Sequence, residues 1–530
     1  MTPVPVRPTV SERTPALAYG ACILLLLVGC AAVLHYTSLR GSLWEDEIIA
    51  LTHTFQPLPS FFVGVMRNDI HPFFFFLVLK GWMVFAPASA PWALASSLAF
   101  TLLSVAVIYC VSRAVHGAQA ALWAVVIYLL LPTTAWAAGN LRMYALMPAL
   151  VVAVWYLNLR FLRAPTRWSG CALLLLQLCT AYTHAIAFIF VAFIALSVLI
   201  GELRSGPRTA LRPWLALQVL AGVLMLPLPM SALVRGTEPL APSQLDSFYT
   251  TFAQTVAVNT GEPLLLCAGL LVFAMLVALA MQGRTARITT LGLPVGVLLV
   301  TIGIGFLGKP MFKSPVFSAN LLPFLAIGAG AGVATLLREQ RRTAAALACA
   351  GVALLACITI PVSSKLIPEQ NYQAAASYLS GQVQRGDTVV VPHLSVYWAV
   401  MLYSTHRTWG EPLAVRPADN PQWQKITQKL GPALAGRLGL IPGAPYVDFQ
   451  GVRYCTGTDA TACTRGAARV FIVDRRTYNN GVQLATPMRP LRTAYFSNEL
   501  AVTELRHDPQ GSAQFDNPYL TRVTPTATRP

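Results

Sequence analysis

Apolar runs alternating with short polar gaps fill residues 16–360, and beyond them the pattern changes. Runs at 16–34, 92–110, 120–136, 143–159, 214–233, 264–281, 288–306, 317–337 and 344–360 each approach the ~20 residues a helix needs to cross a bilayer core. The run at 171–200 is too long for one helix and divides at Tyr182, Thr183 and His184, which brings the expected total to about eleven crossings. Residues 73–85 are apolar but too short to span, so they read as an interfacial helix in the first outer loop, 38–90, with Lys80 reaching the headgroups. Within the first run, 27–30 resemble a lipobox, but the apolar stretch continues past the would-be cleavage point, as in an uncleaved anchor. From Ser363 the chain is of soluble type: a helix at 372–379, a Gly386-Asp387 turn, and β-rich runs at 388–391 and 469–473 predict a small α/β domain. The expected fold is therefore mainly α, a polytopic transmembrane bundle over 1–361 with an α/β domain over 362–530.

Composition agrees with that reading, since 55% of residues are hydrophobic and 11% charged, at a mean hydropathy of +0.58. The formal charge of +17 does not indicate nucleic acid, because the arginines fall in the gaps between apolar runs and form no contiguous basic face. Arg113, Arg160, Arg163, Arg204, Arg208, Arg284, Arg287, Arg338 and Arg341 all lie on one side if 73–85 does not cross. The positive-inside rule makes that side the cytoplasm, with the N-terminus also cytoplasmic and the α/β domain periplasmic. Of the ten cysteines, Cys455 and Cys463 belong to the α/β domain, where an oxidising compartment favours a disulfide; no cysteine spacing suggests zinc.

The outer gaps collect the residues that carry chemistry. Glu45, Asp46 and Glu47 sit together just past the first run, in a chain poor in acids, and suit a general base; a solvated helix start is their plainer reading. Asp69 and His71, before Pro72, suit orienting that base, binding a cation or touching the acceptor; loop polarity and a cap for the helix from Phe73 are their plainer reading. Arg142 and Tyr144 mark the mouth of a crossing, where an arginine clamps phosphate or merely snorkels. Lys309 and Lys313 run against the positive-inside trend and would neutralise a lipid phosphate or attract headgroups.

Four short elements, taken in order, are similar to those of the GT-C glycosyltransferases, in particular the lipid A aminoarabinose transferases and the protein O-mannosyltransferases (family 39-like). LWEDEIIAL matches the Asp-Glu motif of their first outer loop at Asp46 and Glu47. HPFFFFLVLKGWMVF from His71 matches a His-Pro-Pro-aromatic segment, with Phe73 in place of the second proline. LRMYAL from Leu141 matches an Ala-Arg-Met-Tyr-Ala-Leu element, and Tyr182 to His184 a Tyr-Thr-His element. Two positions depart: Gly139 and Asn140 stand where relatives often carry Gln-Glu, and no arginine lies near Ala319.

The resemblance implies transfer of a sugar from a polyprenyl phosphate to an envelope lipid, glycan or protein acceptor, at the outer face of the bacterial inner membrane and among membrane lipids. Asp46 would be the base and Glu47 would orient the loop, while Asp69, His71, Arg142, Tyr144, His184, Lys309 and Lys313 would bind donor phosphate or acceptor. No cofactor is assigned; the metal question stays open, with room for a divalent cation. A lipid or glycan flippase, or an inactive GT-C-like subunit, are the competing readings. Glu45→Gln is expected to cost far less activity than Asp46→Asn.

Overall fold

A computed structural model describes residues 42–55, 58, 61–62, 71–85, 90–129, 131–184, 187–203, 210–228, 314–338, 371–405, 446–475, 481–496 and 500–516. The expected crossings at 16–34, 264–281, 288–306 and 344–360 lie outside these residues. The chain forms two compact units, Met1–Leu39 with Ile70–Phe75 and Leu94–Ile367, and Arg40–Asp69 with Phe76–Ala93 and Pro368–Pro530.

The first unit is helical. Its described elements include α3 (Ala90–His116), α4 (Ala118–Leu129), α5 (Pro132–Ala138), a 3-10 turn (Met143–Ala145), α6 (Met147–Arg163), α7 (Arg167–Ala181), α8 (Ala187–Leu203), α9 (Leu211–Met225) and α10 (Ser314–Arg338). Ala90–His116, Met143–Arg163 and Asn320–Leu337 are long and apolar enough to cross a membrane, and shorter apolar helices accompany them. The run at 120–136 is not one helix. It stops at α4 and restarts as α5 at Pro132, which supplies no N–H and turns the residue before it away from helical geometry. The stretch from Met143 likewise opens with one 3-10 turn before Pro148 takes its place in the first turn of α6.

Small residues set the contact between α10 and α4. A Cβ on Gly330 of α10 would run into the backbone of Ala120 and Ala124 of α4, so these two helices meet backbone to backbone, and Ala331 and Ala334 pack on Ala120. Such contacts suit a setting where lipid is as apolar as any side chain and close packing drives association. Farther along, Trp155 of α6 meets Phe324 of α10 edge-on, with centroids 5.8 Å apart. On α9, Leu215, Val219 and Val223 recur one turn apart and are exposed, an apolar stripe at helical spacing.

The second unit holds α1 (Glu45–Phe55), α2 (Phe74–Met83, of which residues from Phe76 belong here) and a mixed sheet with its helices. Trp82 of α2 stacks on Trp92 with centroids 4.6 Å apart, and each indole N–H donates to the other's backbone carbonyl. The C-terminal portion runs α11 (Tyr372–Gln382), β1 (Thr388–Val391), α12 (Leu394–Thr405), β2 (Val447–Phe449), β3 (Val452–Thr456), α13 (Thr461–Thr464), β4 (Arg469–Arg475), β5 (Val482–Tyr495), β6 (Leu500–His507) and β7 (Ser512–Phe515). Asn371 caps α11 by accepting from Ala374 N–H at 3.1 Å. The seven strands are ordered β2-β3-β1-β4-β6-β5-β7, with β3, β1 and β4 parallel and the rest antiparallel. β1 is buried on both faces, as its Thr-Val-Val-Val sequence requires of a central parallel strand. Gly386, at φ +95°, makes the turn into β1 with a conformation that glycine adopts without strain. Cys455 and Cys463 form a disulfide, with Cα atoms 6.4 Å apart, inside the core beneath Val390, Val470 and Ile472. The sequence anticipated two of these strands, while the antiparallel half of the sheet emerges only in the structure.

Candidate active site

In the helical unit, three of the sequence motifs converge. The turn after α7 ends in His184, and the His71-Pro72-Phe73 turn lies against it: the imidazoles of His71 and His184 have centroids 4.7 Å apart, Phe73 packs on Tyr182 at 5.2 Å, and Phe74 N–H donates to Tyr182 O at 2.9 Å. Tyr144, from the 3-10 turn, places its ring 6.1 Å from His184, and Trp136 of α5 packs on Tyr144 at 5.1 Å. Segments more than a hundred residues apart in sequence therefore meet in one wall of aromatic and imidazole side chains. The turn itself is tied to α3: Ser97 Oγ donates to Asn140 O at 2.7 Å, and Ser104 Oγ donates to Ala145 O at 2.8 Å while accepting from Ala149 N–H.

This wall is out of bulk water. His71, His184 and Arg142 are 6%, 3% and 5% exposed, and Asn140 is fully buried. A guanidinium so deep in an apolar helical unit is costly, and such residues mark binding or transport sites more often than packing. Asn140 stands where the sequence departs from its resemblance, and neither its amide oxygen nor its amide nitrogen finds a hydrogen-bond partner among the described residues. Leaving a buried amide unanswered costs about 1–3 kcal/mol, so a water or a ligand is expected to answer it. No group of three or more His, Cys, Asp or Glu side chains comes together among the described residues.

In the other unit, α1 starts at Glu45, and its first turn carries all three acids, a placement the helix dipole favours. They differ in surroundings. Glu47 is fully buried and accepts from Trp44 N–H at 3.0 Å, the carboxylate half of a capping box. Glu45 pairs with Arg475 at the end of β4. Asp46, set about 100° around the helix from each, is half-exposed. Nothing in the local sequence signals that Glu45 has a partner 430 positions away. Asp69, Lys309 and Lys313 lie outside the described residues.

No protein-family model and no curated protein matches the chain. Among solved structures it is similar to ArnT from Cupriavidus metallidurans in the apo state, with a TM-score of 0.56 at 11% identity over 92% of this chain and 98% of that one. The structure of the same protein bound to undecaprenyl phosphate gives 0.54 at 12% identity, over 91% of this chain and 98% of that one. The fold resemblance read from the sequence is thus shown, and three of the described helices are long and apolar enough to cross a membrane.

Proposed function

With the ArnT fold as premise, we propose that the protein is a membrane glycosyltransferase that moves a sugar from a polyprenyl phosphate to an envelope lipid, glycan or protein acceptor. The observation that carries this reading is the wall of His71, His184 and Tyr144 together with the buried Arg142 and Asn140 in the helical unit. ArnT itself has been captured with undecaprenyl phosphate, a lipid phosphate of the kind such a wall suits. We assign 1–361 to the transmembrane region and 362–530 to a periplasmic domain in the bacterial inner membrane, with the N-terminus cytoplasmic, following the basic gaps.

The chemistry is a single inverting displacement. The acceptor's hydroxyl or amine attacks the anomeric carbon on the face opposite the lipid phosphate, and a new bond forms to that carbon. The carbon–oxygen bond to the phosphate breaks, and its electron pair leaves with the lipid phosphate. The acceptor's proton passes to the Asp46 carboxylate, and Glu47 keeps the helix start in shape through Trp44 N–H. Arg142, with Lys309 or Lys313, balances the charge that grows on the departing phosphate. His71, His184, Tyr144 and Asp69 contact donor phosphate or acceptor, and Asn140 donates to or accepts from the donor headgroup.

The test uses full-length protein in lipid with polyprenyl phosphate sugars and an envelope extract, following release of undecaprenyl phosphate. Asp46→Asn is expected to lower turnover by roughly 10² to 10⁴, the usual worth of a positioned base, with donor binding intact. Arg142→Ala is expected to weaken donor binding first, because its contact exists already in the ground state. Turnover of Asp46→Asn close to that of the wild type would sink the assignment.

A further inference from the structure

We infer that Arg475 and Tyr403, of the C-terminal sheet region, are positioning residues for transfer: they hold the first turn of α1, and so aim Asp46. This rests on the role proposed for Asp46.

The helix α1 has 11 residues, too few to be stable alone, so its direction has to come from what it docks on. Its apolar side is fixed by burial of Leu43, Ile48 and Leu51. Its polar side is fixed by three ties to distant chain. Tyr403 Oη, near the end of α12, accepts from Leu43 N–H at 2.9 Å. Ser42 Oγ accepts from Gln373 N–H at 3.4 Å, at the start of α11. Arg475 Nη1 donates to Glu45 Oε2. The side chains of Arg475 and Glu45 are only 11% and 15% exposed, so the pair is largely desolvated. Removing one member takes a desolvated opposite charge away from the other, and the turn shifts in response. Asp46 follows Glu45 directly, and a displacement of about 1 Å at a reacting group costs up to roughly a hundredfold in rate.

Glu45 and Arg475 therefore act through Asp46 and need not touch substrate. That separates this role from a merely structural one, and it reverses the expectation that Glu45 matters little.

The experiment compares Arg475→Ala, Arg475→Lys, Glu45→Gln and the swap Glu45→Arg with Arg475→Glu, in full-length protein in lipid. In Arg475→Ala and Glu45→Gln, kcat is expected to fall about tenfold to a hundredfold, with the donor KM within about twofold of wild type, and amide exchange across 45–50 to quicken while β1 stays protected. Arg475→Lys keeps the charge without the forked donor geometry and recovers some of the loss, and the swap recovers more. Wild-type kcat and unchanged α1 exchange in a folded Arg475→Ala protein overturn the inference, as does a swap no better than the single variants. Should Asp46→Asn keep its turnover, the base assignment falls, whereas α1 exchange still decides whether Arg475 holds the helix.

Discussion

Asn158 in the helical unit and Glu504 in the sheet unit are both buried acceptors that gather several donors, yet what they accept from differs. Asn158 Oδ1 takes Trp214 Nε1–H at 2.8 Å and Gln218 Nε2–H at 3.2 Å, and Gln218 in turn accepts from Gln177 at 2.8 Å. Every member is neutral, and the hydroxyls nearby, such as Thr180 and Thr183, return to carbonyls one turn back. Glu504 instead takes Arg492 Nε–H at 2.7 Å and lies 3.6 Å from Arg469, whose guanidinium also grips Asp387 through Nε at 3.1 Å and Nη2 at 2.5 Å. Burying an ion is affordable where water reaches its rim, as it does at Arg492, and far more costly in a unit surrounded by lipid. Against that background Arg142 is the exception among the buried groups described in the helical unit, and an exception to a physical rule is where function is to be sought.

The comparison breaks most sharply at Gly330. Its contact with the α4 backbone leaves no room for a side chain, so Gly330→Leu forces α10 away from α4, and no charge or solvent can hold those helices together once their close contact is gone. We expect most of the monodisperse, folded protein to be lost on extraction, and a smaller loss for Gly330→Ala. The sheet unit fails differently. Arg469→Ala leaves Asp387 and Glu504 buried with less compensation, and removing one partner of a buried pair costs about 3–5 kcal/mol. Amide exchange along β4 and β6 should then quicken steeply, while Arg469→Lys, which keeps the charge and loses the bidentate fork, falls between. Equal protection in Arg469→Ala and wild type would show that the network adds nothing beyond packing.

What could be read beforehand divides along the same line. Apolar length marked α3, α6 and α10, and the break at Tyr182–His184 fell where α7 ends, because crossing a bilayer imposes a length that composition alone reveals. The break at Pro132 was equally open to reading, through the missing N–H, but the apolar run masked it. Strands β5 to β7 carry polar faces and exposed arginines, with bulges at Gln483/Met488 and Pro490/Arg492 that spoil the alternation a strand reading needs. At the site, His71, Arg142, Tyr144 and His184 stood out as polar residues at the mouths of crossings. Asn140 did not, since a buried amide without a partner is a property of three-dimensional surroundings. The Glu45–Arg475 pair was invisible for the same reason.

The smallest expected effect sharpens the comparison within the sheet unit itself. Asp474, one residue before Arg475, is 2% exposed; its Oδ1 accepts from Arg475 N–H at 2.8 Å, while Oδ2 is without a hydrogen-bond partner. Burial pushes its carboxyl up to about 7, against the ordinary carboxylate range. The folded chain therefore holds this proton over a range in which the unfolded chain has released it. Stability from this group is full below about pH 4, the unfolded value, and is lost progressively as pH rises towards 7. Asp474→Asn removes the titration, so we expect it to slow amide exchange at the end of β4, more at pH 7.5 than at pH 5. A gain of the same size at both values would mean that the asparagine improves packing, and that Asp474 is not held as the acid.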